Sequence, residues 1–180
     1  NEEDTITILY DMEFFYDNID ILYLLQEGAK LEYPPVLLGL GIQMHMALRG
    51  IRCYQCIPGE TLPYNGIIAG CTQSTTFTKV LLYSILEGCY QQHLSSGLRT
   101  FVDDIRASAY GDTALSQQKA SSTYLVQALK GIRCKIRKKT TIVASRDKLA
   151  QEVKRHLKKT WACQQAATAK DLGCLLYTSP

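Results

Sequence analysis

Asp103 and Asp104 are adjacent carboxylates that follow Phe101-Val102 and precede Ile105, a pattern that fits the tip of a β-hairpin. Neighbouring like charges repel, so the pair is costly there unless a cation binds. A third acid, Asp11, ends the run Thr5-Ile6-Thr7-Ile8-Leu9-Tyr10, whose β-branched and aromatic residues read as a strand. Carboxylates gathered at strand ends suit a hard divalent cation, which prefers oxygen ligands.

Holding such acids requires strands at both places and a scaffold behind them. The spacing predicts a strand over residues 5–10, an acidic turn, and a helix from about Asn18 with Ile19, Leu22 and Leu25 inward. Pro34-Pro35 opens a second helix through Leu48, with Gly50 at its stop. Residues 51–57 read as a strand and 58–63 as a loop. A long helix spans Thr72 to Gly88, with Phe77, Leu81 and Ile85 on one face. After a loop from His93 to Gly97, the acidic hairpin covers Leu98 to Tyr110. Residues 114–130 read as a helix, and Arg133–Ile136 and Thr140–Ala144 as strands paired with each other. Ser145 to Lys159 is amphipathic, with Leu149, Val153 and Leu157 inward. Strands interleaved with long helices predict an α+β fold, a mainly antiparallel sheet backed by helices.

Several segments around these acids match one family in order. Asp11, with Tyr16 five residues on and Asp17-Asn18-Ile19 leading into a helix, resembles the first catalytic block of reverse transcriptases, and Phe101-Val102-Asp103-Asp104 resembles their Tyr/Phe-x-Asp-Asp block. Gly66-Ile67-Ile68-Ala69-Gly70-Cys71-Thr72-Gln73-Ser74-Thr75-Thr76-Phe77 is similar to the Gly-x-x-x-Gly-x-x-x-Ser-x-x-Phe block that opens a palm helix. It departs from the pattern at Ala69, where Gln is usual, and at Thr75, where Pro is usual. Gly131 with Lys138-Lys139-Thr140 is similar to the Gly…Lys-Thr block, and Asp171-Leu172-Gly173 to the Leu-Gly of the primer-gripping turn. The order is closest to retroelement enzymes without long terminal repeats.

The resemblance implies a polymerase palm over residues 1–174, an RNA-directed DNA polymerase that adds deoxynucleotides to a primer 3′-hydroxyl. Its partners would be an RNA template, a DNA primer, deoxynucleoside triphosphates and the remaining polymerase domains of a parent chain. Two Mg2+ ions, with Mn2+ as substitute, would be held by Asp11 and Asp103, with Asp104 supporting the second. Tyr16 would exclude a 2′-hydroxyl by collision, Gly66 and Gly70 would let backbone approach template and incoming base, and Ser74 completes that substrate-binding block. Lys139 would serve either as general acid toward pyrophosphate or as a simple phosphate contact. RNA-dependent RNA polymerases carry an Asn in the helix block, and none occurs from Gly66 to Ser84. A palm of that type, and a decayed palm that only binds nucleic acid, are the alternatives.

Composition narrows the rest. At 180 residues, 46% hydrophobic and 21% charged, the chain can form a full core and is not of the disordered class. The longest apolar stretch, Val36 to Leu48, is broken by Gln43 and His45, so no membrane span is expected. Seven cysteines without a secretory signal read as free thiols in a reducing intracellular compartment, the nucleus included. Cys53 and Cys56 have half the spacing of a zinc site and no second pair, and His45, His93 and His156 read as structural or surface residues. The net charge of +3 conceals a division: residues 1–36 hold nine acids and one lysine, residues 130–159 twelve Lys/Arg and two acids. Such a basic block is either a polyanion contact or a solvated helix face. Both ends read as cut, since the first methionine is Met12 and residues 175–180 resemble a non-native tail. A palm fragment without fingers or thumb is the expectation.

Overall fold

A computed structural model describes residues 3–50, 59–93, 97–138, 140–158, 163–166, 168–171 and 174–177. In chain order the strands are β1 (Thr5–Tyr10), β2 (Met12–Glu13), β3 (Arg49–Gly50), β4 (Glu60–Thr61), β5 (Gly97–Phe101), β6 (Asp104–Tyr110), β7 (Lys135–Ile136), β8 (Thr141–Ala144), β9 (Gln164–Gln165), β10 (Thr168–Asp171) and β11 (Cys174–Tyr177). The helices are α1 (Ile21–Lys30), α2 (Pro35–His45), α3 (Thr72–Gln92), α4 (Ala114–Gly131) and α5 (Asp147–Leu157), with a 3-10 turn at Tyr16–Asn18. The fold is α+β. It divides into a sheet unit, Asn1–Glu13 with Tyr83–Pro180, and a helical unit, Phe14–Leu82.

In the sheet unit five strands run in the order β5-β6-β1-β8-β9, antiparallel except for the parallel pair β8–β9. Alternation in β1 buries Ile6, Ile8 and Tyr10, and the register Ile6↔Ala109, Ile8↔Ala107, Tyr10↔Ile105 sets three buried β6 residues beside them. α4 packs against both strands and contributes buried Leu125, Val126 and Leu129. On the opposite face of the sheet the Thr7 and Ser108 hydroxyls hydrogen-bond at 2.9 Å. α5 covers β8 and α4 with Leu149, Val153 and Leu157, all buried as expected. Each such side chain stabilises the fold by about 1.5–3 kcal/mol.

The helical unit is centred on Phe77, fully buried in α3 and met edge-on by Tyr33 at 6.2 Å and His45 at 5.7 Å. Here the helix phase differs from expectation. α1 starts at Ile21 because Asp20 caps it, its Oδ1 accepting from the Leu22 amide at 2.9 Å and the Tyr23 amide at 3.2 Å. Leu24 is therefore the buried leucine, while Leu22 is 70% and Leu25 37% exposed; Ile19 is buried as expected.

Other boundaries also move. α2 stops at His45 instead of Leu48, α3 runs one turn past Gly88, and the segment read as a loop contains β4, paired with β3. β7 and β8 do not pair with each other: β7 pairs with β2 and β8 with β1, both partners lying far upstream. Leu175 to Tyr177, set aside as a tail, pair with Thr168 to Lys170 in the β10–β11 hairpin. The strand expected over 51–57 lies outside the described residues. No helix among the described residues is long and apolar enough to cross a membrane.

Candidate active site

The acids of the sheet unit sit where three strands end. Phe101↔Asp104 is the last pair of the β5–β6 hairpin, which leaves Val102-Asp103 as a two-residue turn. Two-residue hairpins need φ > 0 at a central position, normally supplied by glycine. Val102 takes that place with φ +58°, and a β-branched residue there is strained by about 1–3 kcal/mol. The strained turn holds Asp103 half-buried at its apex, and Asp104 opens β6 exposed. The β1–β6 ladder ends at the pair Tyr10↔Ile105, so Asp11 and Asp104 are the residues directly after and directly before its last pair.

Asp11 is fixed from its other side by the segment after β7. Its amide donates to Thr140 Oγ1 at 3.2 Å, and its carbonyl accepts from the Arg137 amide at 2.7 Å. Thr140 is wholly buried, and its own amide closes back on the Arg137 carbonyl at 3.1 Å. Arg137 Nη1 also lies 3.5 Å from Asp11 Oδ2. Thr140 thus belongs to the matched Lys-Thr, yet its role of gripping the first acid's backbone was not legible in the motif. Arg137 was visible only as one member of the basic block.

In donor chemistry the set suits Mg2+ or Mn2+, being oxygen-only and carried on adjacent strand ends. No group of three or more His, Cys, Asp or Glu side chains among the described residues is gathered closely enough to hold a metal. Asp11 is instead paired with Arg137. Met12, just after the first acid, buries its side chain, leaving only backbone available beside Asp11. Cysteine chemistry has less to offer: burial pushes the Cys89 thiol up to about 11 and Cys134 up to about 12, away from the thiolate a nucleophile or ligand requires.

The expected substrate-binding residues lie in the helical unit, where two close backbone contacts bring them together. The Gly66 amide donates to the Ile19 carbonyl at 3.0 Å and the Ile67 amide to Tyr16 O at 2.9 Å. A Cβ on Gly66 would stand 2.8 Å from Asp17 O and 2.9 Å from Tyr16 O, so this glycine admits the chain's own backbone. Phe15 is the buried aromatic and packs edge-on with Tyr16 at 5.6 Å, leaving Tyr16 half-buried.

Gly70, at φ +83° with open space where its Cβ would be, occupies the third position of a turn closed by the Cys71 amide on Ile68 O at 3.3 Å. Ser74 is buried, and its hydroxyl donates to the same Ile68 carbonyl at 2.6 Å. His45 holds the other side of that residue, its Nδ1 accepting from the Ile68 amide at 3.1 Å. Ser74 and His45 therefore act on the loop through Ile68. His45, read as a structural or surface residue, is structural: a buried strut of that loop.

Lys139 and Leu172-Gly173 lie outside the described residues, as do Cys53 and Cys56. Of the basic block, Lys148, Lys154 and Arg155 are exposed on α5 and Lys158 at its C-cap, whereas Leu149, Val153 and Leu157 are buried. Arg146 is paired with Asp4. Compared with known proteins, the chain matches no family model and no curated protein sequence.

Proposed function

We propose that the chain is the palm portion of an RNA-directed DNA polymerase, with Asp11, Asp103 and Asp104 as its metal-binding carboxylates. The observation that carries this reading is the strand order: the central strand β1 runs directly into Asp11, and its neighbour β6 begins at Asp104, straight after the strained turn that holds Asp103. A strained, acid-bearing turn lowers stability, and such outliers concentrate at functional sites. Two bound Mg2+ ions would supply charge neutralisation at the transferred phosphoryl group and activation of a primer 3′-hydroxyl.

The chain's own residues hold the acids in place. Thr140 and the Arg137 amide fix the Asp11 backbone, while the β5–β6 ladder fixes the Asp103-Asp104 turn. Tyr16 is the proposed sugar-selecting residue, a role favoured by Phe15 filling the core in its stead. Lys139 is the proposed phosphate contact. The exposed basic face of α5 offers phosphate contacts for an RNA–DNA duplex.

The test is extension of a labelled DNA primer on an RNA template with deoxynucleotides and Mg2+, using the full reading frame that contains residues 1–174. Asp103→Asn and Asp11→Asn should each lower the rate at least ~100-fold, because a lost metal contact removes several kcal/mol of transition-state stabilisation. The Asp103→Asn thermal midpoint without metal should hold or rise, since acid repulsion is relieved. Extension by either variant at near wild-type rate would refute the assignment.

A further inference from the structure

α5 carries cations that the rest of the sheet unit leaves uncompensated. Its apolar side, Leu149, Val153 and Leu157, is buried against β8 and α4. One flank is tied to α4, where Glu152 Oε2 lies 3.3 Å from Lys119 Nζ and His156 Nε2 lies 3.0 Å from Thr123 Oγ1. Its other acid, Asp147, accepts from Gln165 Nε2 at 2.9 Å. The outward strip that remains is Lys148, Gln151, Lys154, Arg155 and, at the C-cap, Lys158, all exposed. Among the described residues none of these four cations pairs with a carboxylate. Helix stability accounts for only part of the strip: Lys154 and Arg155 sit in the last turn, where a cation complements the helix dipole, but Lys148 sits in the first turn, where a cation opposes it. Lys154 and Lys158, four residues apart, also repel each other.

We propose that this strip is a sequence-independent docking surface for the phosphate backbone of a single RNA strand, separate from the acid-bearing strand ends. β8 sets Ile142 and Ala144 beside Ile8 and Ile6 on the side of the sheet that α4 covers, and α5 packs on that same side, whereas Thr7 and Ser108 mark the other. Lys148 to Lys158 spans about 15 Å at the rise of an α-helix, the length of about four nucleotides of one strand. A single line of charges follows one strand, and with no aromatic side chain on the strip to stack on a base, the contacts are to phosphate. A membrane surface requires apolar side chains beside the cations, and those of α5 are buried in the core. The choice of RNA rests on the polymerase reading, within which the strip takes unpaired template.

The experiment measures binding of the full 180-residue chain to a labelled single-stranded RNA of mixed sequence by fluorescence anisotropy, in EDTA and at several KCl concentrations. Four phosphate contacts predict a slope of log affinity against log salt of about −3, at roughly −0.7 per contact on a single strand. Lys148→Gln/Arg155→Gln should weaken binding at low salt at least ~10-fold and bring the slope to about −1.4. Arg99→Gln/Lys135→Gln, which removes two exposed cations elsewhere in the sheet unit, should stay within about 2-fold of wild type. Equal weakening by the two double variants would overturn the proposal, showing that net charge and not the strip carries the binding. Salt-independent binding, or tighter binding to phosphatidylserine vesicles than to RNA, would overturn it as well. Asp103→Asn should bind the RNA as wild type does, and a loss of binding there would overturn the separation of the strip from the acids. Retained RNA binding together with undiminished primer extension by Asp103→Asn would overturn the polymerase reading and leave the docking surface standing.

Discussion

The sheet unit and the helical unit place their key residues by different means. In the sheet unit, position follows from a ladder: once β1 pairs with β6, the alternation that buries Ile6, Ile8 and Tyr10 also determines where Asp11 falls. In the helical unit, position depends on individual contacts, such as His45 and Ser74 gripping the two sides of Ile68, or Gly66 lying against residues 16 and 17. Apolar residues show the same contrast. Leu149, Val153 and Leu157 of α5 are all buried, whereas Val36, Leu37, Leu40 and Met44 of α2 are 46–69% exposed. A ladder fixes many residues at once, while a helix buries only the side that finds a neighbour.

The largest effect on stability should come from testing that contrast in the two helices most alike in pattern. Leu157→Ala removes a fully buried side chain of the sheet unit and should cost about 2–5 kcal/mol. Leu22→Ala, at a position 70% exposed in α1, should change stability by no more than about 0.5 kcal/mol. Urea unfolding of both variants measures the difference. A comparable loss at Leu22 would mean that this side chain is covered in the folded chain and that the contrast between the units is false.

Next in size is a pair of glycines within the helical unit. Gly66→Ala meets both an unfavourable φ of +80° and backbone atoms at 2.8–2.9 Å, and should cost about 2–4 kcal/mol. Gly70→Ala meets only the φ, and should cost about 1–2 kcal/mol. Equal losses would show that the backbone contact between Gly66 and residues 16–17 contributes nothing. Primer extension adds a second readout, since a base-facing role for Gly70 predicts loss of activity beyond its loss of stability.

The strained turn gives a smaller effect of opposite sign. Val102→Gly relieves the left-handed β-branched residue, worth about 1–3 kcal/mol, against about 0.5–1 kcal/mol for glycine's extra freedom when unfolded. A net gain of about 1 kcal/mol in the sheet unit is expected, read as a higher thermal midpoint. A lower midpoint would mean that the valine side chain has packing value exceeding its strain, and that the turn is not a place where stability was given up.

What could be read from the chain beforehand follows the same division. β1, the acidic hairpin, α3 and α5 were legible because their patterns are local: alternation over six residues, or an apolar residue every third or fourth position. The phase of α1 was missed because the capping residue is Asp20, two positions after the apparent start, and a shift of two residues turns a helix by more than half a turn. The partners of β7 and β8 were missed because they lie more than a hundred residues upstream, and spacing says nothing about pairing at that distance. At the candidate site the acids themselves were legible. Thr140 and Arg137 as holders of Asp11 were not, since their roles exist only once β2, β7 and β8 have been brought to the end of β1.

The smallest effect separates the units by pH. His45 is wholly buried and its Nδ1 accepts the Ile68 amide, so the neutral ring is the form that fits. Its pKa is lowered, first by desolvation and then by the nearby Arg49 guanidinium. A histidine whose folded pKa lies below its unfolded value of about 6.5 binds fewer protons folded than unfolded. Its contribution is therefore complete above about pH 6.5 and is lost as pH falls toward and through the folded value. Protonation would remove the acceptor from the Ile68 amide and place a charge against Phe77, loosening the loop that carries Gly70. The stability difference between wild type and His45→Gln should accordingly shrink from pH 8 to pH 5, because glutamine does not titrate. A difference that stays flat over that range would mean that His45 is not linked to folding, and that the helical unit's loop is held by Ser74 and the backbone alone.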